Sequence, residues 1–179
     1  MVDPAASRRW MFRGLFFASC AFIMFIQMLP LRTTPAFLPG PDLLFAFAAV
    51  VMMRRPAYVP VLFVVGIFFL ADLLFLRPPG LWTAIVLIAT EFLRRRSVSP
   101  TEFPFLVEFA VFSAVFTAMV AANALVQLVF GLTPPDLGVL ALHVLVTMAA
   151  YPFVIAVSHF ILGIRRARPI DLKSGEAMI

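Results

Sequence analysis

The chain has 179 residues, 63% of them hydrophobic and 13% charged, where a soluble domain carries about 45–50% apolar and about 25% charged residues. That excess cannot be buried inside a globule of this size, so the class of soluble enzymes and binding domains is excluded and lipid is the medium for most side chains. The net charge of +5 sits at the ends of apolar runs, which is the pattern of membrane orientation and anionic headgroup contact rather than of nucleic-acid binding.

Cys20 is the only cysteine, which excludes disulfides and thiolate metal sites. No polar segment is long enough to fold separately, so residues 1–179 read as one polytopic domain. A spanning helix needs about 20 apolar residues, and the first run, residues 14–31, meets that as an uncleaved span. A turn-rich loop, Arg32 to Pro41, leads into a second run over residues 41–53. Its apolar part, Leu43 to Met53, is short for a span, and charge placement decides how it is read. If it crosses, twelve Lys and Arg residues lie on one side and two, Arg32 and Arg77, on the other. If it does not, the best division is ten against four. Positive residues collect in the cytoplasm, which favours six spans with both termini cytoplasmic.

The third span covers residues 58–76 and the fourth 79–94, joined by Arg77-Pro78-Pro79-Gly80. The basic groups Arg54-Arg55 and Arg94-Arg95-Arg96 bracket this hairpin and mark the cytoplasmic face, where they meet headgroups. The fifth span, residues 105–130, and the sixth, residues 137–164, join through a tight turn at Gly131 to Asp136. Pro152 inside the sixth predicts a kink at the Met148 carbonyl. Residues 165–179 form a basic cytoplasmic tail.

Few residues could carry chemistry. Asp72 lies one turn below the outer surface and reads as a structural acid for Arg77, Arg32 or the backbone of the Pro-Pro-Gly turn, or as a polar anchor for a neighbouring helix or a bound headgroup. Asp42 after Pro41 reads as a helix start. Glu91 shares a helix face with Arg94 and Arg95, and Glu108 complements the start of the fifth helix. Asn123 and Gln127, four apart, share a face, and His143 is expected at similar depth on the sixth span; together they form an interhelical polar cluster or the lining of a small-solute site. Ser113, Thr117, Ala118, Ala121 and Ala122 are small enough to let another helix approach. His143 and His159 stand too far apart to share a metal, and no nucleophile triad, phosphate loop or metal motif is present. The reading is therefore non-enzymatic, with no cofactor.

Pro41-Asp42-Leu43-Leu44, then Arg54-Arg55-Pro56, Gly66 with Asp72-Leu73-Leu74, and Pro79-Gly80-Leu81 resemble, in order and spacing, the rod shape-determining MreD family over residues 39–96. The resemblance implies an all-α fold of six transmembrane helices, similar to the substrate-binding subunits of energy-coupling-factor transporters. It also implies a bacterial inner-membrane subunit of the elongation machinery that binds MreC directly, in one assembly with RodA and penicillin-binding protein 2 and indirectly with MreB. Asp42, Asp72, Arg77, Pro79 and Gly80 are then the expected partner contacts. The alternative is a vitamin-binding or small-solute transport subunit.

Overall fold

The computed structural model describes residues 4–29, 39–54, 56, 59–97 and 104–162. Among these the chain is all-helical: α1 (Pro4–Met28), α2 (Leu43–Arg54), α3 (Val61–Leu74), α4 (Leu81–Ser97), α5 (Phe105–Val129) and α6 (Leu137–Leu162). Trp10–Met28, Phe105–Val129 and Leu137–Phe160 are apolar and long enough to cross a membrane, so the chain is membrane-associated. The expected first and sixth spans extend to residues 30–31 and 163–164, and these, like Arg55 and the 165–179 tail, lie outside the described residues.

The first helix starts ten residues earlier than the apolar run, because Ser7 to Arg13 carries no helix breaker and continues the same helix. α6 is helical through Pro152, whose exposed ring lies beside a fully buried Tyr151.

The bundle is organised around its shortest helix. α2 has 12 residues, about 18 Å of rise, and Leu44 to Met52 are all buried. A helix that is apolar all round belongs in an interior. Here α1, α4 and α6 pack around it, and α5 meets it through Phe45, which stacks on Phe112 and Phe116 at 6.0 and 5.7 Å. Phe16 of α1 stacks on Phe47 at 5.6 Å. Aromatic pairs matter more here than in water, because lipid tails are as apolar as the core and burial alone gains little.

Contacts along α2 define two levels. At its start, which we term the upper end, the Asp42 amide donates to Thr147 Oγ1 at 3.1 Å and Gln27 of α1 reaches the Pro41 carbonyl at 3.3 Å. At its lower end Arg54 meets Glu108 of α5 at 3.3 Å. Thr147 is ten residues into α6, so α6 rises ~15 Å above the start of α2. α5 does the same beyond Phe116. Within these upper arms no residue from Ala121 to Phe130 or from Leu137 to Val146 is buried, and burial resumes at Thr147. A low body of α1 to α4 thus stands against a tall α5–α6 hairpin.

Candidate functional site

The upper charged layer is assembled from three separated pieces of sequence. Asp42 caps α2: its Oδ1 accepts from the Phe45 amide at 2.9 Å, three residues on, as an N-cap carboxylate does. Its Oδ2 faces Arg77 Nη1 at 3.8 Å. The Arg77 guanidinium lies over the rings of Phe75 and Trp82, with 5.5 and 5.3 Å to their centroids, an arrangement that fixes its plane.

Asp72 is fully buried and caps a helix other than its own. α4 begins at Leu81 behind Gly80, which has no side chain to cap with. Asp72 Oδ2 instead accepts from the Gly80 amide at 3.1 Å, the Thr83 amide at 3.1 Å and the Thr83 hydroxyl at 2.7 Å. The carboxylate satisfies the unpaired amides of the first turn and faces the positive end of the helix dipole. Gly80 is required by its backbone, with φ of +89°. Of the expected partners for Asp72, the turn backbone takes the contact; Arg77 goes to Asp42, and Arg32 lies outside the described residues. Asp72 sits two residues before the end of α3 rather than four, because α3 stops at Leu74.

The turn between them ends α3 with a full C-cap. The Leu76 amide donates to the Leu73 carbonyl at 3.4 Å and the Arg77 amide to the Asp72 carbonyl at 3.0 Å, the pair of bonds that places the intervening residue in the left-handed region. That residue is Leu76, at φ of +52°. α5 ends by the same pair of bonds, Gly131 to Leu128 at 3.1 Å and Leu132 to Gln127 at 2.9 Å, with Gly131 at φ of +72°. Leucine in this position costs on the order of 1 kcal/mol that glycine does not.

The lower layer is closed. Glu108 Oε1 accepts from Arg54 Nε and from the Tyr151 hydroxyl, each at 3.3 Å, and Tyr151 stacks on Phe112 at 3.8 Å. Glu108 therefore does more than complement its helix start: it ties α2, α5 and α6. Arg94 Nη2 donates to the Val59 carbonyl at 2.7 Å. Glu91 pairs with Arg94 at 3.8 Å and Arg95 at 3.4 Å, as the spacing predicts. Of the arginines expected at headgroups, Arg54 and Arg94 turn inward to these partners, while Arg95 and Arg96 are exposed. Nothing in the sequence signals the inward pair, since their inward partners come from other segments of the chain.

His143 does not join Asn123 and Gln127. Its Nδ1 lies 3.0 Å from the Gly40 carbonyl and its ring 5.6 Å from Phe116. Asn123 is seven residues further along α5 than Phe116, ~10 Å higher. Half-buried Asn123 and Gln127 make no side-chain hydrogen bond among the described residues. Of the small residues of α5, Thr117, Ala118 and Ala121 are exposed and Ser113 and Ala122 are half-buried. Among the described residues no three His, Cys, Asp or Glu side chains gather in a metal-binding group. No protein-family description matches this sequence, and neither the curated proteins nor the solved structures contain a match to it.

Proposed function

We propose that this chain is a non-catalytic membrane subunit of the bacterial cell-elongation complex, of the MreD kind, which holds the single-span protein MreC and couples it to peptidoglycan synthesis by RodA and penicillin-binding protein 2. In this reading all six helices cross the inner membrane, with the lower end and both termini cytoplasmic. The observation that carries it is the convergence at the upper end: Asp42, Asp72 and Gly80, among the residues on which the resemblance rests, meet in one layer with Arg77 although up to 38 positions separate them. Each acid there is engaged in fastening a helix end, which suits a rigid body that presents a surface rather than a group that reacts. The lower end gathers Arg54, Arg94, Arg95 and Arg96, in keeping with a cytoplasmic face.

The solute-binding alternative would need Asn123, Gln127 and His143 in one lining, and the fold sets them at different levels. The decisive experiment is affinity capture of MreC by the tagged full chain from its own membranes, with cell shape followed on depletion. MreC in the eluate and rounded cells are expected. An eluate without MreC, with cells that stay rods, overturns the reading. Reporter fusions near residues 56 and 133 test the topology, the first expected inside and the second outside.

A further inference from the structure

We infer that the α3–α4 turn is the contact point for the partner, through Leu76 and Arg77 rather than through the acids beneath them. This rests on the assembly role proposed above and names the surface that role uses. The partner segment it fits is a membrane-spanning helix that presents a carboxylate beside apolar side chains in the outer half of the bilayer.

Three observations converge on these two residues. The first is strain without an internal reason. At the end of α5 the chain places Gly131 in the left-handed position; at the end of α3 the same pattern of bonds holds Leu76. The Leu76 side chain is 93% exposed, so it repays the conformation with almost no packing of its own. A strained residue whose side chain is left open by its own fold points to use elsewhere.

The second is the state of Arg77. Its guanidinium is fixed over two rings and its side chain is 40% exposed. Its single carboxylate neighbour among the described residues stands at 3.8 Å, too far for a hydrogen bond, and its side-chain N–H donors make none there. A planar, oriented fork of donors is the group best suited to a second carboxylate.

The third is depth. The Asp42–Arg77 level lies ~15 Å below the top of α6 and about 18 Å above Arg54, while hydrocarbon is about 30 Å thick. α5 and α6 therefore overtop the α3–α4 turn, and Arg77, flanked by Phe75 and Trp82, lies toward the outer end of the bilayer where an adjoining span passes beside it. A half-exposed cation at that depth calls for an anionic or strongly polar neighbour, and charge complementarity selects a carboxylate on the adjoining span.

The test uses the full chain reconstituted with full-length MreC. Arg77→Gln and Leu76→Gly are each expected to reduce MreC capture on the order of fivefold or more, as loss of a central contact does. Leu76→Gly should melt at or above the wild-type temperature, a combination that a merely structural role does not produce. A photo-crosslinking residue at position 76 should trap MreC. Wild-type capture that neither variant diminishes overturns this inference and leaves the assembly role standing. Wild-type chain that captures no MreC overturns both. A crosslink to phospholipid alone, with anionic lipid lost from Arg77→Gln and capture unchanged, overturns it in favour of a lipid contact.

Discussion

At the lower end of the bundle Arg54 donates to a Glu108 that Tyr151 also reaches, and the three side chains are almost wholly enclosed. At the upper end Arg77 approaches Asp42 only to 3.8 Å and remains partly open. Both layers contain an arginine, a carboxylate and an aromatic ring, yet one closes on itself and the other keeps donors in reserve. The difference is one of neighbours. Among the described residues three helices supply Glu108 with the donors Arg54 and Tyr151 and a stacking ring, whereas the Arg77 side chain meets its own flanking rings and the end of α2. The lower layer is built to hold helices together, and the upper one combines that task with a surface.

Substitutions can break this contrast. Glu108→Leu should be the most damaging, because it leaves Arg54 buried without its charge partner; we expect a loss of about 3–5 kcal/mol, measured by thermal unfolding of the purified protein. Asp72→Ala removes the cap of α4 and strands the Thr83 hydroxyl, with an expected cost of about 2 kcal/mol. Asp72→Asn, which keeps an acceptor oxygen, should recover at least half of that in the same assay. Tyr151→Phe keeps the stack on Phe112 and loses the hydroxyl bond to Glu108, for about 1 kcal/mol. Arg77→Gln should sit at the bottom of the scale, below about 1 kcal/mol, since its ion pair is long and partly open. If Arg77→Gln proves as damaging as Glu108→Leu, the two layers are alike and the contrast fails.

Parts of this arrangement are readable in the sequence because their signals are local. Asp42 after Pro41 announces a cap, Glu91 announces its pairs three and four residues on, and Pro-Pro-Gly announces a turn. The choice of partners across helices is not readable. Asp72 has three candidate partners within reach, and which one it meets depends on how α3 and α4 face each other. The central place of α2 is hidden for a different reason. In a chain where lipid-facing and core-facing sides are equally apolar, periodicity carries little information about which is which. The expected depth of His143 assumes a tight turn that leaves the adjoining ends of α5 and α6 level. Residues 132–136 form a non-helical stretch instead. The pairing of Phe112 with Tyr151 and of Phe116 with His143 then starts α6 about 5–10 Å below the end of α5, so that Leu137, not His143, stands near the level of Asn123.

The rings along α5 also have a mechanical side. From Phe105 they run through Phe109, Tyr151, Phe112 and Phe116 to Phe45 and His143, each within 6.2 Å of the next. Rings that meet in this way, some stacked and some tilted, resist sliding, since moving α5 lengthwise by a fraction of a turn would carry Phe112 off Tyr151 and Phe116 off Phe45. α5 is therefore geared to α2 and α6 like a toothed rack, and a pull applied at either rim of the bundle displaces it as a single piece.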